Sequence, residues 1–468
     1  MLTRRIALLS GAAALAGSAL AAPRSRQPAP RDAFVTVRDG QFRLGGRPYR
    51  YAGANMWYAA WLGADAPYGD RARLGRELDR LQALGLNNLR IMAAAEEGPL
   101  RNSIKPGFSR PDGSLNPDLL SGLDYAMAEI ASRGMDYNQR LLRGLDHALA
   151  EMAKRDMKAV IYLNNFWEWS GGMMTYVYWT NGGKYLDMND PAHPWPEFPN
   201  MTADFYSTPR AVEMANHYLR AVVTRRNTVT GRLYSDDPTI MSWQLANEPR
   251  PGGNEAVAAR QMAAFRAWVT GTARLIKSLD PNHLVSTGSE GLKGCVESRE
   301  CVIAEHRGPE IDYLTAHIWP LNWSWVDSKD LPGTWAGGEE KVRDYIAQHI
   351  AMAGELRKPL VIEEFGFPRD LGLYDPGSAT SFRDRYYRLI YDAVLESAAK
   401  GGPLVGSNFW AWNGAGRAAH PDHRFKPGDT SYLGDPPHEP QGWYGVFDAD
   451  ASTRKVIADH AAALSRIS

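Results

Sequence analysis

The sequence predicts a parallel (β/α)8 barrel of the TIM type, with an N-terminal β-hairpin and long βα loops that form a cleft. Three observations predict it. Eight short apolar segments with strand character recur between residues 51 and 410, and helices with a 3.6-residue apolar period lie between them. The residues in excess of the roughly 250 that such a barrel needs fall in segments that would all leave the same end of it. Strand followed by helix, repeated eight times, is the pattern that encloses a parallel sheet in a ring of helices.

The first residues are an address. Residues 1–22 carry Arg4 and Arg5, an apolar Ala- and Leu-rich stretch from Ile6, and the small-residue sequence Ala19-Leu20-Ala21. Together these describe a twin-arginine-like export signal, and export places the mature protein in the periplasm or outside the cell. Residues 23–32 form a Pro-rich linker. Residues 33–468 contain no repeat, low-complexity run or composition break and read as one catalytic barrel.

Within that span, Phe34–Val37 and Phe42–Leu44 around Asp39-Gly40 form a hairpin expected to cover the bottom of the barrel. Strands are expected at Tyr51–Asn55, Asn88–Met92, Ala159–Leu163, Ile240–Leu245, Leu284–Thr287, Tyr313–His317, Leu360–Glu364 and Val405–Trp410. Helical spacing appears in Leu74, Leu78 and Leu81, in Leu141, Leu145 and Leu149, in Phe265, Val269 and Ile276, in Val342, Ile346 and Ile350, and in Phe382, Tyr386 and Leu389. The helix after the fifth strand carries the weakest signal. The long loops follow strands two (93–138), three (164–208) and eight (411–445), and they are rich in Trp, Asn and Gly.

Composition narrows the function. The 53 Lys and Arg balance the 53 Asp and Glu, so there is no electrostatic footprint for nucleic acid or for an anionic membrane around the mature form. The 44% hydrophobic and 23% charged residues belong to an ordinary globular protein. The 15 Trp and 21 Tyr are unusual, and many stand beside Asn, Gly and Pro, as on a surface that stacks a flat ligand. No Cys/His cluster has zinc spacing and no nucleotide or flavin motif occurs, so neither metal nor cofactor is expected. Cys295 and Cys301 could close a small disulfide loop in an exported chain, or stand as two thiols.

Two carboxylates carry the chemistry. The fourth strand ends in Asn247-Glu248-Pro249 and the seventh in Glu363-Glu364-Phe365-Gly366, which puts Glu248 and Glu364 at the barrel mouth. Hydrolysis of a glycosidic bond needs two carboxyl groups flanking it, one protonated to assist the leaving oxygen and one ionised to attack the anomeric carbon. Taken alone, a Glu before Pro is equally a helix cap and a Glu pair equally a solvated turn. It is the matching strand ends and the surrounding aromatics that favour chemistry. His317, ending strand six, is either a core histidine or a group that holds a sugar hydroxyl or the nucleophile. Trp410 is either packing or an indole plane for a pyranose face. Arg90 inside a barrel needs an anion, and Glu364 is the expected one.

These residues resemble glycoside hydrolase family 5 of clan A, and within it the mannanase-like subfamily, over essentially all of 33–468. The motifs that carry the resemblance are Gly53-Ala-Asn55-Met-Trp57-Tyr58, Asn88-Leu-Arg90, Leu163-Asn-Asn165-Phe-Trp167, Asp237 through Asn247-Glu248-Pro249-Arg250, Glu363-Glu364-Phe-Gly366, Phe409-Trp410 and Gly442-Trp443-Tyr-Gly445. The resemblance implies a retaining glycosidase acting on β-1,4-mannosidic bonds of mannan or manno-oligosaccharides, with an exo-acting β-mannosidase or a β-glucan-active relative as alternatives. It implies Glu248 as acid/base, Glu364 as nucleophile, and Asn247 as partner of the 2-hydroxyl of the attacked sugar. It places Arg90 and His317 in support of the nucleophile, Trp410 on the floor of the −1 subsite, and Trp57, Asn165, Trp167 and Trp319 among the substrate-binding and supporting groups. Where relatives commonly show His-x-Tyr on strand six, this chain has His317-Ile-Trp319, and an indole donates but cannot accept. A monomer is expected.

Overall fold

The computed structural model describes residues 29–111, 135–188 and 190–467. The expected export signal, residues 23–28 of the expected linker and residues 112–134 of the loop after the second strand lie outside the described residues.

Eight parallel strands form the barrel: β1 Tyr51–Asn55, β2 Asn88–Met92, β3 Lys158–Tyr162, β4 Ile240–Gln244, β5 Leu284–Ser286, β6 Leu314–Ile318, β7 Leu360–Phe365 and β8 Leu404–Phe409. Each expected strand is present within one or two residues at its ends. Their order is β5-β4-β3-β2-β1-β8-β7-β6, so every sequential neighbour but β5 and β6 pairs, and β1 meets β8. Between β5 and β6 single bonds replace the ladder. The Asp312 N–H donates to the Val285 carbonyl at 2.8 Å and the His317 N–H to the Glu290 carbonyl at 3.1 Å. The strands are buried on both faces, which is why they read as continuous apolar runs rather than as alternating ones.

The helices sit outside and start where short polar side chains cap free N–H groups. Asp70 accepts from Arg73 N at the head of Arg71–Ala83, Asn138 from Arg140 N and Leu141 N before Gln139–Ala153, and Asn254 from Val257 N before Glu255–Leu279. The weakly signalled helix after β5 is Arg299–His306, only 8 residues against the 26 of Leu331–Leu356, so it offers too few turns to display a period. The hairpin strands Thr36–Arg38 and Gln41–Leu44 cap the barrel bottom. Phe42 and Tyr49 pack there against Tyr51, Val160, Met241 and Val361 from four strands and Tyr313 just before β6. The other end is left to the loops.

Candidate active site

Arg90, in the middle of β2 and fully buried, organises the barrel mouth. Its Nε donates to Gln244 Oε1 at 2.8 Å, its Nη1 to Asn55 Oδ1 at 3.1 Å and to Glu364 Oε1 at 2.5 Å, and its Nη2 to Asn247 Oδ1 at 2.7 Å. The Tyr162 ring covers the guanidinium at 4.6 Å. One cation therefore fixes side chains from β1, β4, β7 and the loop after β4. A buried charge is tolerated only with such complete pairing. The anion expected for Arg90 is the one found, with Glu363 a second at 3.7 Å.

Glu248 follows β4 in the left-handed region, at φ 51°, which is costly for a residue with a side chain and is seen mainly where the surroundings enforce it. The enforcement comes from Gly288, whose carbonyl accepts the Glu248 N–H at 2.9 Å. A Cβ on Gly288 would lie 1.9 Å from the Ala246 carbonyl oxygen, so only glycine brings these two backbones so close. Trp167 donates its indole N–H to Glu248 Oε2.

The register of β6 against β7 shifts between Ala316 and His317, which sets His317 opposite Glu364. His317 Nδ1 then lies 2.6 Å from Glu248 Oε1 and 3.4 Å from Glu364 Oε2. Ligand atoms of all three side chains fall within 4.8 Å of one another. His317 thus touches both glutamates: beside its contact with Glu364 it meets Glu248, at the shorter distance.

Asn247 lines the cleft, held by Arg90 on its oxygen and by Asn165 Oδ1, which accepts its amide at 3.1 Å. Asn165 is itself fully buried and positions Asn247 rather than facing the cleft. Trp57 does not line the cavity: it is enclosed, donates to the Gly434 carbonyl at 3.0 Å and packs against Trp169 at 5.8 Å, in support of the cleft wall. Trp167, Trp319 and Trp410 do line a cavity of about 640 Å³ together with Glu248 and Glu364. Trp319 stands edge-on to Trp410 at 6.1 Å. A Cβ on Gly366 would lie 2.7 Å from the Trp319 ring, so the glycine of the Glu-Phe-Gly motif makes room for that indole.

Several groups at the site were not singled out from sequence. Arg250 pairs with Glu290 at 2.6 and 2.7 Å, and Glu363 accepts from Gln244 Nε2 at 2.5 Å and from the Tyr313 hydroxyl at 3.3 Å. Glu290 follows β5 as Glu248 follows β4, so its place beyond a strand end was a readable signal. Trp169, Trp195, Lys293, Trp323, His438 and Glu439 also line the cavity, and they lie on loops whose sequence carries no period.

Electrostatics suit shared proton chemistry. Burial pushes both carboxyls above their ordinary range, and the charge of Glu248 raises Glu364 further. Arg250 and the Trp167 indole favour the anion on Glu248 as Arg90 favours it on Glu364, so the two close carboxyls share one proton. His317 is driven well below its usual value, first by burial and then by Arg90, and stays neutral. Two close carboxyls with different partners form the pattern that separates an acid from a base.

The family model described as GH family 5 beta-mannosidase-like matches residues 32–136 and 135–468. A tomato (Solanum lycopersicum) protein named mannan endo-1,4-beta-mannosidase 4 is 30% identical over 93% of this chain and 92% of its own length. An Arabidopsis thaliana mannan endo-1,4-beta-mannosidase 1 is 29% identical over 81% of each. The crystal structure of a glycoside hydrolase family 5 mannosidase from Rhizomucor miehei superposes with a TM-score of 0.81 at 33% identity, covering 94% of this chain and 99% of that one. A mutant of a Rhizomucor miehei family 5 mannosidase, solved in complex with mannosyl-fructose, superposes at 0.80. With its barrel, its paired glutamates and this match along the described chain, the protein belongs to the β-mannosidase-like members of glycoside hydrolase family 5.

Proposed function

We propose that this protein hydrolyses β-1,4-mannosidic bonds of mannan or manno-oligosaccharides with retention of configuration. The observation that carries the reading is the placement of Glu248 and Glu364 oxygens within 4.8 Å. Retaining enzymes hold their carboxyls about 5–5.5 Å apart, whereas inverting ones need about 6.5–9.5 Å to seat a water between them. In the first step Glu364 attacks C1 while Glu248 gives its proton to the departing glycosidic oxygen, leaving a mannosyl ester on Glu364. In the second, Glu248 takes a proton from water, whose oxygen attacks C1 and releases Glu364. Asn247, pinned by Arg90 and Asn165, faces the 2-hydroxyl, and Trp410 provides the floor. The mannan substrate is supported by the names of the relatives and by the mannosyl-fructose bound to the Rhizomucor protein. Residues 1–22 support export to the periplasm or beyond. Among the described residues no helix is long and apolar enough to cross a membrane.

The test incubates the purified protein and its Glu364→Ala variant with linear mannan and mannohexaose, following products by chromatography and the first anomer by NMR. Mannose or manno-oligomers released as the β-anomer by the parent alone are expected. Release of the α-anomer sinks the double displacement, and turnover of a glucan but not of mannan sinks the substrate.

A further inference from the structure

Burial raises both Glu248 and Glu364, and the pair shares one proton, with Arg250 and Trp167 favouring charge on the first and Arg90 on the second. The first chemical step needs that proton on Glu248. A third glutamate, which the two steps leave unused, lies behind the pair. Glu363 is fully buried and faces the barrel interior beside Glu364, although consecutive side chains of a regular strand point to opposite faces. The reason is a bulge. Ala316 of β6 stands opposite Ile362 and His317 opposite Glu364, so Glu363 is the extra residue, and the strand turns both carboxyl groups inward.

The surroundings hold Glu363 as an acceptor. Arg90 Nε donates to Gln244 Oε1 at 2.8 Å, which fixes the amide so that its nitrogen donates to Glu363 Oε2 at 2.5 Å and to Ser286 Oγ at 2.9 Å. The Tyr313 hydroxyl reaches Glu363 Oε1 at 3.3 Å, and Arg90 Nε lies 3.7 Å from Oε2. Tyr51 on β1 also faces this carboxyl and is kept neutral by burial. Burial raises Glu363 as well, and Arg90, Gln244 and Tyr313 draw it back toward the anion.

His317 stands between this group and Glu248. Its Nδ1 is 2.6 Å from Glu248 Oε1, while its Nε2, enclosed and without a hydrogen-bond partner among the described residues, is 4.0 Å from Glu363 Oε2. The ring is neutral, so one nitrogen carries the proton and the other accepts, and the groups facing them decide which. Of the other charges near the ring, Arg250 is paired with Glu290 and Arg90 with Glu364. Glu363 is the anion on the Nε2 edge, and it draws the N–H to that side. Nδ1 is then a bare acceptor, and its short contact with Glu248 is a bond that the Glu248 carboxyl donates. With the proton on Nδ1 instead, the ring would donate to Glu248 and favour its anion, the wrong state for an acid.

We propose that Glu363 is a positioning residue for the acid/base: by holding the His317 proton on Nε2 it makes Nδ1 an acceptor, and so places the shared proton on Glu248, which must give it to the leaving oxygen. This rests on the double-displacement reading above.

The test reads the tautomer and the pH profile together. Long-range nitrogen–proton NMR correlations distinguish the two neutral tautomers, with His317 assigned by the signals lost in His317→Gln. The parent is expected to carry the His317 proton on Nε2 near neutral pH, and Glu363→Gln, which has no charge, to carry it on Nδ1. In the same variant the basic limb of kcat/KM on mannohexaose is expected to move down by about one pH unit. Glu363→Asp, which keeps the charge, is expected to keep both the Nε2 proton and the limb. The proposal is overturned if the parent's proton is on Nδ1, if Glu363→Gln leaves the tautomer unchanged or the basic limb unmoved or raised, or if Glu363→Asp behaves as Glu363→Gln does. Should Glu363→Gln not fold, the parent's tautomer and the Asp variant decide. The NMR arm uses no substrate, so a parent that hydrolyses no mannoside would remove the β-mannoside reading, while the position of the His317 proton still decides this one.

Discussion

Arg90 on β2 reaches past β1 and β8 to put its Nη1 2.5 Å from Oε1 of Glu364 on β7. Both groups are enclosed by protein, so the pair joins distant parts of the sheet through a contact that water does not weaken.

Loss of one partner of a buried ion pair strands the other charge. Arg90→Ala is expected to cost about 3–5 kcal/mol of folding stability, and Arg90→Lys less, measured by thermal or denaturant unfolding. Both raise the pKa of Glu364, since the cation that favours its charge is lost or misaligned, and so move the acidic limb of kcat/KM to higher pH. An unmoved limb would show that Arg90 only supports the fold.

Trp167 donates to Glu248 and stacks on Phe198 at 6.3 Å with planes 14° apart. Trp167→Phe keeps an aromatic face and removes the donor. A donor stabilises the carboxylate form, so its removal raises the pKa of Glu248 and shifts the basic limb of the profile upward, with a lower kcat. A pH series on a manno-oligosaccharide checks the direction.

The parent's profile is expected to be bell-shaped. Glu364 must be ionised, so activity falls as pH drops through its raised pKa. Glu248 must hold the proton, so activity falls as pH rises through its own. These are properties of the pair, and both limbs therefore move when either glutamate is replaced by Gln.

Glu305, buried beside the disulfide, is pushed by burial from the ordinary 4.5 to about 8. A folded pKa above the unfolded one contributes stability that is complete below about 4.5 and is lost as pH rises through about 8. Glu305→Gln is thus expected to match the parent's melting temperature near pH 5 and to exceed it near pH 9. A constant difference across that range would show that the carboxyl does not titrate there.

The Cys295–Cys301 bond closes a six-residue separation, with Cα atoms 5.7 Å apart, on the loop that carries Lys293 into the cleft. Cys295→Ser with Cys301→Ser, or reduction, is expected to lower stability by about 2 kcal/mol by the loop-entropy relation. Calorimetry with and without reductant reads it directly.

Glu248 and Glu364 were legible because each ends an apolar strand, and a parallel barrel carries its strand ends to one face whatever the loops do. Trp57, Asn165 and His317 were recognised by motif but not by contact. Trp57 donates to Gly434, Asn165 accepts from Asn247 and His317 meets both glutamates, and each of these partners is tens to hundreds of residues away. Trp169, Trp195, His438 and Glu439 of the β3 and β8 loops gave no signal, since no period governs a loop. Strand and helix order, the two glutamates and the aromatic richness were determined by the sequence itself, because local periodicity and strand ends are short-range properties of the chain. The bend of Glu248 against Gly288 and the grip of Arg90 on four distant side chains were decided only by the tertiary structure. Each depends on hydrogen bonds between residues tens to hundreds of positions apart, and these exist only once the barrel has closed.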